Sequence, residues 1–130
     1  MSCVVPGLLL ASFEESFDRR LLETYQVSHV LNVAIECNVS ERLDLVYAKF
    51  GIADDCDNSD MTEILDDCIK FIKDAQGCVL VHCLEGISRS VCIVIAYLVK
   101  ECAFIHHLQI IRPIIDTYPL YLEQTLRYLL

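Results

Sequence analysis

One stretch decides the fold of this chain: Val81-His82-Cys83-Leu84-Glu85-Gly86-Ile87-Ser88-Arg89-Ser90. The apolar run that leads into it, residues 77–82, predicts a buried strand. The run that follows it, residues 88–99, predicts a helix whose buried face carries Val91, Ile95, Leu98 and Val99. A loop that feeds a helix N-terminus points backbone N–H groups at one spot. The helix dipole adds positive potential there, so the loop is predicted to bind an anion, most naturally a phosphate.

Two side chains give this loop its chemistry. Cys83 enters the loop and Arg89 leaves it, so that a thiol and a forked cation face the same anion. Positive potential of this kind favours the thiolate form of a cysteine, which makes Cys83 a candidate nucleophile. The simpler alternative is a buried cysteine at a strand end followed by a helix-starting serine. That alternative does not explain an arginine on an otherwise apolar helix start.

The loop resembles the His-Cys-x5-Arg-Ser signature of the cysteine-dependent protein phosphatases, and the wider chain resembles their dual-specificity branch. Supporting patterns occur at residues 6–12, 30–33 and 96–100 and at Arg112-Pro113. The resemblance implies a single catalytic domain over residues 1–130. It also implies a three-layer α/β fold of the phosphotyrosine protein phosphatase type, with a central, mostly parallel sheet flanked by helices. In such sheets the ligand binds at the carboxyl ends of the strands, where Cys83 falls.

The resemblance also implies roles for the residues around the nucleophile. Ser90 would hydrogen-bond the sulfur and help it leave in the second step of the reaction. His82 would organise the loop, and Asn32 would tie a neighbouring strand end to it. The phosphate itself would be bound by the Arg89 guanidinium and by the loop residues Leu84, Glu85, Gly86, Ile87, Ser88 and Arg89.

A general acid is needed because the leaving oxygen takes up a proton. The acidic segment of residues 54–57 follows a predicted strand, and matching it to the family pattern assigns the general acid to Asp54. Asp55 is the adjacent alternative, and Asp57 is a weaker one. Without the signature loop, this cluster would be interpreted as a solvated acidic turn.

The substrate class follows from charge. The net charge of −9 disfavours nucleic acid or an anionic membrane as a partner. The variable loop positions carry no Lys or Arg, which disfavours inositol phosphates and RNA ends. We therefore expect phosphoprotein substrates, at phosphotyrosine and at phosphoserine or phosphothreonine. The alternative is a catalytically weak scaffold that binds phosphoproteins through the same loop, whereas a thiol oxidoreductase is disfavoured because the loop holds no second cysteine.

The cysteine content bears on the cellular compartment that we expect for this chain. The chain has 130 residues and eight cysteines, with no Cys-x-x-Cys pair and no zinc-ligand spacing. Without a recognisable leader, we expect free thiols in the cytoplasm or nucleus, where such phosphatases act in signalling. No metal or other cofactor is predicted, and the sequence makes no prediction about the oligomeric state.

The remaining elements follow from periodicity. Apolar and β-branched runs predict strands at residues 8–10, 30–35 and 43–50. Helical spacing predicts one helix over residues 14–25, with Phe17, Leu21, Leu22 and Tyr25 on its inner face. Further helices are predicted from residue 61 to about 75, at 104–111, and after Pro119.

Overall fold

A computed structural model of the protein describes residues 1–38, 41–52, 62–84 and 89–102. Its centre is a five-stranded sheet with the strands β1 Ser2–Val5, β2 Leu8–Ala11, β3 Val27–Ala34, β4 Val46–Ile52 and β5 Cys78–His82. The strand order across the sheet is β1-β2-β5-β3-β4. β1 pairs with β2 in antiparallel fashion, and the other neighbouring strands are parallel. The predicted mostly parallel sheet is thus confirmed.

The central strands β3 and β5 set the position of the site. β5 is an apolar run, and β3 is rich in Val and buried over residues 30–34, as expected for strands that are covered on both faces. In their register, Leu31 lies opposite Val81 and Asn32 lies opposite His82. The carboxyl ends of the two strands therefore lie side by side, so that residues 35–37 and 83–84 emerge at the same edge of the sheet.

Helices cover both faces of the sheet. On one face, α2 Thr62–Asp74 and α3 Arg89–Cys102 pack through Leu65 and Ile93 in a core with Leu31 and Val81. On the other face, α1 Arg19–Thr24 contributes Leu22 to a second core cluster with Leu80. This arrangement confirms the predicted three-layer α/β architecture. None of the helices in the described part of the chain is long and apolar enough to cross a membrane.

The single helix predicted for residues 14–25 is wrong. The structure has a short 3₁₀ helix, Glu15–Phe17, and then α1. Between them Asp18 adopts an extended conformation, and its side chain accepts a hydrogen bond from the Leu21 backbone N–H at 3.2 Å. Asp18 thus caps the N-terminus of α1 and separates it from the 3₁₀ helix. As a result Phe17 and Tyr25, predicted to face inward, are 52% and 42% exposed.

Other boundaries differ less from the predictions. β4 begins at Val46 rather than at residue 43, and Leu43 is fully exposed. The edge strand β1 was not predicted. It reaches β2 through a turn in which Gly7 has a φ of +84°, a conformation that favours glycine. The helices predicted at 104–111 and after Pro119 lie outside the described residues.

Candidate active site

The site lies at the junction between β5 and α3. β5 ends at His82, Cys83 follows it, and α3 begins at Arg89. The Cys83 sulfur lies 3.3 Å from the Ser90 hydroxyl, and both residues are buried. Since Ser90 lies in the first turn of α3, the sulfur lies close to a helix N-terminus, where the helix dipole favours negative charge. The structure thus brings together the two residues predicted to share the sulfur chemistry.

The Arg89 guanidinium donates to groups at the ends of β3 and β4. Its Nη1 donates to the Glu36 carboxylate at 2.8 Å and to the Ile52 carbonyl at 2.8 Å. Its Nη2 donates to the other oxygen of the Glu36 carboxylate. Only 3% of the Arg89 side chain is exposed. A buried guanidinium requires paired charge and hydrogen bonds, and these contacts supply both.

His82 supports the start of the loop from below. Its imidazole is fully buried, and Nδ1 lies 3.1 Å from the Cys83 carbonyl oxygen. Because a carbonyl can only accept, Nδ1 carries the proton and donates it to this bond. Burial lowers the pKa of His82 below its usual 6.5, which favours the neutral ring. His82 thus anchors the backbone at Cys83, and its organising role in the loop stays a prediction.

Asn32 braces the end of its own strand. Its side-chain amide donates to the Cys37 carbonyl at 2.7 Å, and its oxygen accepts from the Ala34 backbone N–H at 2.9 Å. These bonds stabilise the turn of residues 34–37 that carries Glu36. The predicted tie from Asn32 to the signature loop stays a prediction, since the loop residues 85–88 lie outside the described part of the chain.

Sequence analysis missed Glu36. Its carboxylate pairs with Arg89 across 53 positions of sequence. This hydrogen bond from Arg89 is the main cause that lowers the pKa of Glu36, and the carboxylate is therefore charged at neutral pH. The sequence feature that could have identified Glu36 is its position as an acidic residue just after the strand predicted at residues 30–35. Neighbouring parallel strands end at the same edge, so an acid at that position lies within reach of a loop arginine.

Several predicted site residues fall outside the described residues. Among the loop residues, Leu84 is described: its carbonyl accepts from the Phe13 backbone N–H at 2.9 Å, which ties the loop base to the segment after β2. Ile52, the last described residue before the acidic segment, is the residue whose carbonyl holds Arg89. The residues outside are Asp54, Asp55, Asp57, Glu85, Gly86, Ile87 and Ser88.

The other described thiols provide a contrast to Cys83. Cys3, Cys37, Cys68 and Cys78 are free cysteines. Burial raises the pKa of Cys68 to about 12. Burial also raises the pKa of Cys37, which is fully buried. Deep apolar burial makes thiols of this kind inert, whereas the Cys83 sulfur has a hydroxyl partner at a helix N-terminus.

Comparison with known families gives a consistent result. A family model described as the dual specificity phosphatase catalytic domain matches residues 8–124. Dual specificity protein phosphatase 1 of Arabidopsis thaliana is 37% identical over 103 residues, which cover 77% of this chain and 52% of that protein. Dual specificity protein phosphatase 19 of Mus musculus is 33% identical over an alignment 133 residues long, and the alignment covers 96% of this chain and 60% of that protein. The chain thus spans between about half and three fifths of these relatives.

The fold has close counterparts among solved structures. The crystal structure of DUSP15 matches with a TM-score of 0.84 and 26% sequence identity. The match covers 98% of this chain and 86% of that chain. The arrangement of sheet and helices described above is therefore the arrangement of a small phosphatase domain.

Proposed function

Because this chain belongs to the dual specificity phosphatase family, we propose that it hydrolyses phosphate monoesters on proteins through a phosphocysteine intermediate on Cys83. The observation that carries the proposal is the contact between the Cys83 sulfur and the Ser90 hydroxyl at the start of α3. The same helix turn also supplies the buried Arg89. A nucleophile, a partner for its sulfur and a cation for the phosphate thus meet at one strand-to-helix junction.

The first step transfers the phosphoryl group to sulfur. The Cys83 thiolate attacks phosphorus, the bond from phosphorus to the substrate oxygen breaks, and that oxygen takes a proton from the general acid. Arg89 and the loop N–H groups stabilise the charge on the equatorial oxygens. The planar fork of arginine suits this role because it bonds two oxygens at once.

We assign the general acid to Asp54, with Asp55 as the adjacent alternative. Asp54 follows Ile52 by two positions, and the Ile52 carbonyl is itself a partner of Arg89. The end of β4 therefore lies against Arg89, and this contact supports a general acid that follows β4 in the sequence. In the second step, the same carboxylate accepts a proton from the attacking water, the sulfur–phosphorus bond breaks, and Cys83 leaves as a thiolate.

The proposed substrates are phosphoproteins carrying phosphotyrosine and phosphoserine or phosphothreonine. The names of the Arabidopsis and mouse relatives support dual specificity. The net charge of −9 supports a protein substrate over nucleic acid or an anionic membrane.

Trapping the intermediate tests this proposal. The protein is mixed with a phosphotyrosine peptide, quenched in acid during turnover, digested, and mapped by mass spectrometry. We expect phosphate on the peptide that contains Cys83, and none on that peptide in Cys83→Ser. Turnover without phosphate on Cys83 would refute the covalent mechanism. Tight peptide binding without turnover, equal in wild type and Cys83→Ser, would favour a phosphoprotein-binding scaffold.

A further inference from the structure

We propose that Glu36 is a positioning residue that aims Arg89 at the substrate phosphate. The inference rests on the proposed function, because it concerns the residue that would bind the phosphate. Its basis is the two-oxygen pairing of the Glu36 carboxylate with Nη1 and Nη2 of Arg89. The Arg89 side chain is almost fully buried, whereas 37% of the Glu36 side chain is exposed. The carboxylate therefore holds the guanidinium from the solvent side and fixes its orientation.

The geometry of the pair determines which edge of Arg89 meets a phosphate. A guanidinium offers an end-on edge formed by Nη1 and Nη2, and a side-on edge formed by Nε and one Nη. Glu36 takes the end-on edge, and the Ile52 carbonyl takes a further N–H of Nη1. A phosphate that Arg89 binds through two hydrogen bonds must then use the side-on edge. Pairing with Glu36 and pairing with phosphate use different edges and are compatible.

Glu36 is itself held in place by the sheet. The Cys37 backbone N–H donates to the Ala34 carbonyl at 3.2 Å, which closes the turn that carries Glu36. The Asn32 side chain bonds the backbone at both ends of this turn. The Ile35 backbone N–H donates to the Ile52 carbonyl at 3.2 Å, the same oxygen that accepts from Arg89. The ends of β3 and β4 thus form one rigid support for the arginine.

The alternative role for Glu36 is to compete with the substrate phosphate for Arg89. A carboxylate near the site repels a phosphate dianion, and if phosphate needed the end-on edge, it would have to displace Glu36. The two roles predict opposite signs. Removing a positioning residue weakens binding of a phosphate-like anion and slows turnover, whereas removing a competitor strengthens binding.

The test compares Glu36→Gln with the matched control Glu23→Gln. Glu23 is an exposed acid on α1 that pairs with Arg19. The readouts are kcat and KM on an aryl phosphate and the affinity for tungstate, a tetrahedral anion, measured by calorimetry. We expect Glu36→Gln to lower kcat/KM by roughly 10- to 150-fold, the factor for losing one hydrogen bond to a charged group. Tungstate affinity falls with it, and the control changes by less than about twofold.

A double-mutant cycle separates positioning from general damage. An Arg89→Lys variant has no guanidinium for Glu36 to orient. Adding Glu36→Gln to it should therefore lower kcat/KM by less than a further factor of about three. Full additivity of the two losses would overturn the inference, as would a Glu36→Gln variant with unchanged or tighter tungstate binding. Should thermal melting show Glu36→Gln to be unfolded, Glu36→Asp carries the test. Aspartate keeps the negative charge but has a side chain that is one methylene shorter. The inference would be overturned if that variant had the tungstate affinity and kcat of the wild type.

The experiments distinguish failure of the proposed phosphatase activity from failure of the positioning role of Glu36. A wild-type protein without Cys83-dependent turnover contradicts the phosphatase proposal, whereas tungstate binding needs no turnover and still reports on Glu36. An active wild type with an indifferent Glu36→Gln contradicts only the positioning role.

Discussion

Replacing Ser90 with alanine is expected to slow the second half of the reaction and spare the first. The Ser90 hydroxyl lies 3.3 Å from the Cys83 sulfur. Ser90 is 0% exposed and Cys83 is 3% exposed. A hydrogen bond to a charged group contributes about 1.5–3 kcal/mol. In the proposed mechanism, this bond stabilises the thiolate, which is the reactant of the first step and the leaving group of the second. Its loss therefore raises the barrier of the second step, by roughly 10- to 150-fold in rate.

A rapid-mixing experiment with an aryl phosphate measures the two halves separately. In Ser90→Ala, we expect a burst of phenol equal to the amount of enzyme, followed by a steady state that is slower than that of the wild type. The matched control is Ser16→Ala, which removes another buried hydroxyl, bonded to the Phe13 carbonyl at 2.5 Å. A Ser90→Ala variant with no burst and with the steady-state rate of Ser16→Ala would refute the reasoning.

Three further outcomes are expected. Leu65→Ala empties a fully buried position of α2 and should cost about 2–5 kcal/mol in urea unfolding; an equal loss in the half-buried neighbour variant Ile64→Ala would contradict this packing. Burial lowers the pKa of His82, so the unfolded state binds the extra proton and stability should fall as the pH drops below about 6.5; an identical pH slope for wild type and His82→Gln in urea unfolding would exclude His82 as its source. Asp54→Ala should slow an alkyl phosphate far more than an activated aryl phosphate, which needs little proton assistance; the same pattern in Asp55→Ala instead would move the acid to that residue.

The parts of the fold that sequence predicted are those governed by local pattern. β5 and α3 follow from apolar runs at strand and helix spacing, and residues 78–82 and 89–102 form them. The break at Asp18 was missed because a capping aspartate within an amphipathic run looks like an ordinary surface acid. β1 was missed because it is short and half-exposed, and it gains its order from pairing with β2.

The same distinction holds for the site. Cys83, Arg89 and Ser90 lie within eight residues of each other and form a recognisable motif. Glu36 has no motif, and its role arises from the parallel pairing of β3 with β5, which brings distant chain segments to one edge. Long-range ion pairs of this kind depend on strand order, which a single sequence does not state.

The most direct test of the central claim is an assay of wild type, Cys83→Ser and Cys68→Ala on an aryl phosphate, in reducing buffer with a metal chelator. Cys68 is a buried core thiol of α2, and its truncation controls for loss of a cysteine as such. We predict turnover by wild type and Cys68→Ala and none by Cys83→Ser, with all three folded by circular dichroism. Turnover that survives in Cys83→Ser, or a folded wild type with no turnover, would contradict a cysteine-based phosphatase.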